Sequence, residues 1–266
     1  MNLNNKTFII TGASSGIGKS LALSLSKKNA NVVLASRQET KLNIICNEIT
    51  SSGGSASVVV TDITIKNDCD NLVKSVKKKY GNIDGLILNA GISMWAPFEE
   101  ITDISFFNQL INVNYMGAVY CVNASLPSLK RSNGVIVSCS TAQSIIGFNN
   151  HSGYVASKHA LHGFLDTIQM ESKGEIKSLE IILGWIKGTN LRENAFGPSG
   201  RKLGQNKKKH SKNSVDLNYC VSQIIKGIEN EKKTLYIPKK LCFIPFLDLF
   251  FPNYIRKKIM KAVMSE

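Results

Sequence analysis

The feature that most constrains the fold of this chain is a regular alternation of short, β-branched apolar runs with longer segments of helical periodicity. The predicted strands lie near 6–11, 31–35, 57–61, 84–88, 134–139, 178–183 and 234–237. The predicted helices lie near 16–28, 38–51, 67–80, 103–130, 153–172 and 215–230. Because alternating strands and helices build βαβ units, the pattern predicts an α/β fold with a parallel sheet.

The strands are almost continuously apolar rather than alternating, which is expected when helices cover both faces of the sheet. We therefore predict a doubly wound parallel sheet of about seven strands in a single domain over residues 1–240. A polar, glycine-rich stretch at about 188–213 predicts a mobile excursion from this domain. Residues 241–266 form a basic, aromatic C-terminal tail.

Composition limits the class of protein and its partners. The chain of 266 residues carries a net charge of +14, and residues 201–266 hold 15 basic against five acidic residues. No nucleic-acid-reading motif accompanies these lysines, so nucleic acid is not an expected partner. The six cysteines form no CxxC pair, so no metal site is predicted and a reducing, cytoplasmic setting fits best. No segment resembles a signal peptide or a membrane span.

A glycine-rich loop, TGASSGIGKS, follows the first predicted strand and leads into the first predicted helix. Glycines let the backbone turn sharply and approach a pyrophosphate, and the helix offers unpaired N–H groups and the positive end of its dipole. A tight structural turn is the competing interpretation. The loop nevertheless lies where a dinucleotide site requires it, and its candidate cofactor-binding residues are Gly12, Ser14, Ser15, Gly16, Ile17 and Gly18.

The ends of the next strands predict how the cofactor is selected. The second strand ends in Ser36 and Arg37, with no carboxylate to bond a ribose 2′-hydroxyl, and a guanidinium there can pair with a 2′-phosphate. NADP(H) is therefore predicted over NAD(H), unless Arg37 is merely a solvated surface residue. Asp62, followed by Ile63, is a candidate adenine contact or a helix N-cap. Further contacts are predicted at Asn89, Ala90 and Gly91.

One strand-loop-helix unit holds the candidate catalytic residues Ser140, Thr141, Tyr154 and Lys158. Tyr154 and Lys158 are four residues apart and therefore share a helical face. A phenol with an ordinary pKa near 10 exchanges protons poorly at neutral pH unless a nearby ammonium favours the phenolate. We expect Lys158 to supply that charge, while a hydroxyl of the preceding loop holds a substrate carbonyl.

Four motifs of this chain resemble those of the classical short-chain dehydrogenase/reductases: TGASSGIG, LNAG at 88–91, NVNYMG containing Asn114, and YVASK. The resemblance covers roughly residues 4–240. It implies a Rossmann-like fold, hydride transfer at a nicotinamide, oligomeric assembly as a homodimer or homotetramer, and an Asn-Ser-Tyr-Lys tetrad. On that basis Tyr154 is the acid-base residue, Lys158 binds the nicotinamide ribose and lowers the tyrosine pKa, and Asn114 anchors a water.

The chain departs from the family pattern at two places. The family serine normally lies thirteen positions before the tyrosine, where this chain has Thr141, so either Thr141 acts or Ser140 replaces it, with Ser138 a lesser candidate. After the sixth strand the family usually has Pro-Gly followed closely by a threonine, whereas this chain reads LGWIKGTN, with Leu183 in place of the proline and Thr189 one place late. Ile186 and Thr189 remain candidate cofactor contacts in this segment.

In the family, the segment that corresponds to the polar stretch at 188–213 covers the substrate, and we call this stretch the lid. The lid and the tail resemble those of a hydroxysteroid-dehydrogenase-like, membrane-associated branch, which implies a small lipophilic carbonyl or alcohol substrate. The basic lid residues Arg192, Arg201, Lys202 and the lysine run at 207–209 form either a solvated face or an anion-recruiting one. The tail suits either an interfacial position on a membrane or a subunit contact. An alternative function is a catalytically vestigial NADP-binding scaffold that docks through this tail.

Overall fold

All seven predicted strands are present in a computed structural model, which describes residues 1–204 and 214–264. The strands are β1 (Thr7–Thr11), β2 (Asn31–Ser36), β3 (Ser55–Val60), β4 (Gly85–Leu88), β5 (Val135–Thr141), β6 (Lys177–Leu183) and β7 (Thr234–Ile237). They form one parallel sheet in the order β3-β2-β1-β4-β5-β6-β7. The sheet reverses its winding direction between β1 and β4, which is where such sheets bind ligands.

Helices cover both faces of the sheet, as the apolar strands predict. The helices are α1 (Gly16–Ser26), α2 (Glu39–Ser51), α3 (Lys66–Tyr80), α4 (Phe106–Ile111), α5 (Gly117–Ser132), α6 (Ser152–Glu171), α7 (Leu217–Glu229), α8 (Ile244–Phe250) and α9 (Pro252–Met264). Apolar side chains of α1, α2 and α7 pack on one face, and those of α3, α5 and α6 pack on the other. The predicted Rossmann-like, doubly wound fold is confirmed.

Strand β1 shows why the central strands carry no polar alternation. Phe8 and Ile10 enter the core on the α1 side, while Ile9 enters the core on the α3 side, and all three are fully buried. The neighbouring strand makes room for the aromatic ring at Gly85, where a Cβ would lie 2.2 Å from the Phe8 ring. The centre of the sheet is therefore packed tightly enough to fix the positions of the loops that follow β1 and β4.

The long helix predicted over 103–130 is interrupted. It begins only at Phe106, because the Asp103 carboxylate accepts the Ser105 backbone N–H in a turn before it. A π-helical turn over Asn112–Met116 then separates α4 from α5, which ends at Ser132. Such turns insert one extra residue and re-aim the side chains around them, and this one carries Asn114.

The tail and part of the predicted lid are packed on the body of the protein. Ile244 of α8 and Ile255 and Ile259 of α9 are buried against a cluster that includes Ile146 and Ile182. In the lid, the Phe196 ring stacks on Phe106 at 5.0 Å between centroids. Thus the described part of the lid is more firmly anchored than the sequence predicts, while the lysine run at 207–209 lies outside the described residues. Within 1–204 and 214–264, no helix is long and apolar enough to cross a bilayer.

Candidate active site

The glycine loop turns at the carboxyl end of β1 through two residues with left-handed backbone angles. Gly12 has φ +64° and Gly16 has φ +53°, a region that residues with a Cβ adopt rarely. A Cβ at Gly18 would lie 2.5 Å from the Gly12 carbonyl oxygen, so this third glycine lets helix and loop approach each other. Gly12 and Gly16 therefore make the sharp turn that the sequence predicts, and Gly18 adds the close packing of the helix on that turn.

The loop after β4 holds the glycine loop in place. The Asn89 amide donates to the backbone oxygens of Thr11 and Gly12 at 3.0 and 3.1 Å. The Thr11 hydroxyl in turn accepts the backbone N–H groups of Asn89 and Ala90 at 3.1 and 3.2 Å. The Asn89 side chain is thus committed to the backbone at the end of β1 and positions the loop, whereas the cofactor approach predicted at Asn89, Ala90 and Gly91 concerns their backbone.

The first turn of α1 fits an anion. Ser15 is its N-cap residue, but no side chain caps the helix and no acidic residue lies in its first turn. Ser14 is buried beside it, and Ile17 packs its side chain into the core. Unpaired backbone N–H groups and the helix dipole therefore face the glycine turn, which is the arrangement that binds a pyrophosphate.

The loop after β6 also lies against the glycine loop, at Gly16. The Thr189 methyl group lies 3.6 Å from the position of a Cβ on Gly16, and its hydroxyl donates to the Ile186 backbone oxygen at 3.1 Å. The Ile186 side chain is buried in the core, so only its backbone can face a cofactor. Of the two candidates in this segment, Thr189 is the one whose side chain reaches the site.

The residues predicted to select the cofactor surround the end of β2. Arg37 is 69% exposed, and its Nη1 lies 3.7 Å from the Asp62 carboxylate. Asp62 also accepts the backbone N–H and hydroxyl of Thr64, whereas the N-cap of α3 is Ile65, so the predicted N-cap role of Asp62 is wrong. The Ser36 hydroxyl accepts the Gln38 backbone N–H.

Ile63, the last candidate on this side of the site, lies in the core. Its side chain packs so closely on Gly117 that a Cβ at that glycine would lie 2.6 Å from the Ile63 Cδ1 atom. Only the Ile63 backbone is therefore available to a cofactor.

Tyr154 and Lys158 lie one turn apart in α6, as the sequence predicts, with the Lys158 Nζ 5.7 Å from the centre of the Tyr154 ring. Both are buried, at 6% and 4% exposure. Burial raises the pKa of Tyr154 well above its usual range and lowers the pKa of Lys158 to about 8. The direction for Tyr154 is opposite to the expected lowering of its pKa, because burial removes the water that would stabilise a phenolate.

Asn114 links the π-helical turn to the catalytic helix. Its amide donates to the Ile92 backbone oxygen and to the Ser157 hydroxyl, both at 2.9 Å, while its Oδ1 accepts the Ile92 backbone N–H. A Cβ on Gly91 would lie 3.2 Å from Asn114 Oδ1 and 3.7 Å from Lys158 Nζ. These contacts bring Asn114, Gly91 and Lys158 together at the carboxyl ends of the central strands, beside Tyr154.

The two candidate hydroxyls differ in their surroundings. The Ser140 side chain is 3% exposed, and its hydroxyl has no hydrogen-bond partner among the described residues. Thr141 is half-buried, and its Oγ1 accepts the Gln143 backbone N–H at 3.3 Å. That bond uses an acceptor site on the Thr141 hydroxyl and leaves its proton available for donation.

The structure adds site residues that the sequence reasoning missed. His151 is buried next to Tyr154, with their rings 6.3 Å apart, and its own ring meets Trp95 edge-on at 4.8 Å. Burial lowers the pKa of His151 to about 4, so its imidazole is neutral at physiological pH. The Arg192 guanidinium covers the Trp95 ring at 4.2 Å. No spacing rule joins positions 95, 151 and 192, which meet only in the folded chain.

Comparison with known proteins gives one family. The family model described as short chain dehydrogenase matches residues 6–198. An 11-beta-hydroxysteroid dehydrogenase of Pinus massoniana is 32% identical over 203 residues, covering 76% of this chain and 57% of that protein. The 11-beta-hydroxysteroid dehydrogenase-like 2 protein of Arabidopsis thaliana is 35% identical over 187 residues, covering 70% and 60%. The chain thus spans about three-fifths of the length of these relatives.

Solved structures share the fold. A short chain dehydrogenase/reductase from Burkholderia phymatum in complex with NAD superposes with a TM-score of 0.81 at 18% identity, covering 96% of this chain and 97% of that chain. An alcohol dehydrogenase from the archaeon Thermococcus sibiricus complexed with 5-hydroxy-NADP gives a TM-score of 0.74 at 24% identity, covering 87% and 94%. At these identities the similarity shows the fold alone.

Proposed function

Because the chain belongs to the short-chain dehydrogenase/reductase family, in its hydroxysteroid-dehydrogenase-like branch, we propose that it interconverts a carbonyl and a secondary alcohol with NADP(H). The observation that carries this proposal is the convergence of Tyr154, Lys158 and Asn114 beside the glycine loop. When bound, the nicotinamide supplies or accepts the hydride. The residues of the chain then have to hold the oxygen and move one proton.

In this proposal Tyr154 is the proton donor during carbonyl reduction. Its raised pKa keeps the phenol protonated at neutral pH, so the proton is present when negative charge develops on the substrate oxygen. Thr141 donates a second hydrogen bond to that oxygen. Lys158, buried without a carboxylate partner among the described residues, stabilises the phenolate that remains after transfer. In alcohol oxidation the same groups act in reverse.

The substrate that we propose is small and lipophilic. The surroundings of Tyr154 are apolar: it packs in one cluster with Met94, Phe106 and Phe196, and the neutral His151 ring lies 6.3 Å from its ring. The names of the relatives point to the same chemical class, since steroids are lipophilic alcohols and ketones. The direct test is NADPH consumption across a panel of lipophilic ketones, with NADP⁺ reduction across the matching alcohols as the reverse assay.

A vestigial scaffold is the less favoured alternative. It predicts NADPH binding without turnover on either panel, whereas the family match and the intact Tyr154 and Lys158 pair support an enzyme. We also propose a homodimer or homotetramer in a reducing, cytoplasmic setting. The six cysteines are free thiols, which is compatible with that setting.

The preference for NADP(H) rests on Arg37. Its ion pair with Asp62 is long and largely exposed, so little free energy holds the guanidinium there, and it can turn to a 2′-phosphate. We expect Arg37→Ala to weaken NADPH binding by about 10- to 100-fold, the value of one charge-assisted hydrogen bond, and to leave NADH binding nearly unchanged. Fluorescence titration with both cofactors measures this. Equal losses for NADPH and NADH would contradict the preference.

The tail presents an apolar surface that we propose to lie on an anionic membrane. Leu249, Phe250 and Phe246 are 73%, 59% and 55% exposed, and the rings of Phe246 and Phe250 are 4.8 Å apart. Exposed Lys257 and Lys258 follow in α9. Aromatic side chains with neighbouring cations suit the boundary between lipid headgroups and acyl chains.

Point variants test this contact better than removal of the tail, because α8 and α9 also cover the apolar cluster around Ile146 and Ile182. We expect the Phe246→Ser, Phe250→Ser double variant to lose most sedimentation with phosphatidylserine vesicles while keeping its thermal stability. Phe98→Ser, at an equally exposed phenylalanine outside the tail, is the control. Unchanged sedimentation of the double variant would contradict membrane contact, and loss of a dimer instead would assign this surface to a subunit interface.

A further inference from the structure

A row of buried polar atoms runs beneath helix α6, behind the catalytic pair. Strand alternation places Ser138 and Ser140 on the same face of β5 as Ile136, which packs with Leu161 of α6. Ser138 is paired in register with Glu180 of β6. The hydroxyls of Ser138 and Ser140 and the Oε1 atom of Glu180 are buried and have no hydrogen-bond partner among the described residues. Buried polar atoms of this kind are commonly bridged by internal water.

This row leads from the catalytic lysine to the surface. Lys158 and His162 are four residues apart in α6, so they share the helix face that covers β5 and β6. The His162 Nδ1 donates to Glu180 Oε2 at 2.8 Å, and the His162 side chain is 41% exposed. The other oxygen of the same carboxylate is the buried Oε1 atom of the row. Glu180 thus connects a solvent-accessible imidazole with the polar interior beneath α6.

The charges around these groups suit proton exchange at neutral pH. Burial lowers the pKa of Lys158 to about 8, against opposing contributions from Cys139 of β5 and Glu180 of β6. The hydrogen bond to Glu180 raises the pKa of His162, with a further contribution from Asp166 of α6. The pKa of Lys158 is thus lowered and that of His162 is raised, and both shifts favour proton transfer between the two groups.

Among the residues that the structure describes, Tyr236 of β7 is a further titratable group close to the Glu180 carboxylate. Burial and the charges of Glu180 and Cys242 raise the pKa of Tyr236, so its phenol stays neutral and adds no charge at physiological pH.

Resting on the proposed function, we propose that Glu180 and His162 form a proton path that recharges Lys158 from solvent behind the active site. In carbonyl reduction one proton leaves the site with each product, and Lys158 gives its own proton to the Tyr154 phenolate and becomes neutral. The His162 imidazolium gives its Nδ1 proton to Glu180 Oε2. Rotation of the carboxyl group turns that proton toward the buried row, and bridging water carries it to the neutral Lys158 Nζ. The His162 ring then turns its free Nδ1 to solvent, takes up a proton there and returns to Glu180. Each cycle moves one proton inward, and alcohol oxidation moves one outward.

His162→Gln tests the path at a half-exposed position, and His159→Gln on the same helix is the matched control. The His159 side chain is exposed, and its Nδ1 pairs with the Val155 backbone oxygen of the same helix at 3.0 Å. We expect His162→Gln to lower kcat by about tenfold, below the roughly 10²- to 10⁴-fold contribution of a group that touches the reacting atoms. The loss should grow as pH rises, KM should stay unchanged, and added imidazole should restore kcat. His159→Gln should match the wild type.

A measurement without substrate or cofactor gives a second readout. NMR titration should show that Glu180→Gln lowers the pKa of His162 toward its ordinary value. The path is overturned if this pKa does not move, or if His162→Gln keeps the kcat and pH profile of an active wild type. A loss of kcat that is equal at all pH values and insensitive to imidazole also overturns it. An inactive wild type, by contrast, refutes the proposed function and the path together.

Discussion

Tyr154→Phe is expected to lower kcat by about 1,000-fold or more while leaving the Kd for NADPH within a few-fold of the wild type. The substitution removes one hydroxyl from a side chain that is 6% exposed and keeps the ring that packs against Met94 and Phe106. Because the ring remains, the fold and the cofactor site should be preserved. The substitution then removes only the hydroxyl that we propose to exchange a proton with the substrate.

Steady-state kinetics with the best substrate of the panel, together with fluorescence titration of NADPH, measure the two quantities separately. Tyr115→Phe is a suitable control, because Tyr115 packs edge-on against Phe164 on the covered face of the sheet. Retained turnover in Tyr154→Phe would refute the proposed mechanism. Loss of NADPH binding together with turnover would show instead that the variant had disturbed the cofactor site.

Thr141→Val is expected to lower kcat/KM by about 100-fold, the effect of removing one donor to the developing oxyanion. Valine keeps the branched shape of threonine, so the change removes a hydrogen bond and little volume. Thr141→Ser should keep most activity, since a serine hydroxyl donates equally well. The Gln143 N–H that Thr141 accepts can remain bonded to serine in this variant.

Ser140→Ala is the comparison that separates the two candidate hydroxyls. We assign the substrate hydrogen bond to Thr141 because it has the family spacing and is less buried, whereas the Ser140 hydroxyl belongs to the buried row beneath α6. Ser140→Ala should therefore cost much less kcat/KM than Thr141→Val. The reverse order of losses in the same kinetic assay would assign the role to Ser140.

The sequence predicts this fold well because its signals are local. Each strand is an apolar run bounded by turns, and the glycine loop follows β1 at the position where a dinucleotide site needs it. The π-helical turn over Asn112–Met116 is harder to predict, since a single extra residue in a long helical segment has no sequence signal of its own. The suggested N-cap at Asp62 also fails, because its side chain accepts hydrogen bonds from Thr64 in a turn and not from the helix that follows.

The site is predictable only where its residues share one segment. Tyr154 and Lys158 come from one helix, so their proximity follows from their spacing. By contrast, Glu180 reaches His162 because β6 lies beside β5 under α6, a pairing that depends on sheet order. The sequence also does not predict that the pKa of Tyr154 is raised, because desolvation depends on the depth of burial, and sequence alone does not give that depth.

The hydrogen bonds of the Asn89 amide connect the loop after β4 to the end of the neighbouring strand β1. Two residues further along the chain, Gly91 stands against Asn114 and Lys158. The three residues from Asn89 to Gly91 therefore join the glycine turn to the surroundings of Lys158. We expect a substitution in this short loop to change nucleotide affinity and the alignment of Tyr154 and Lys158 together.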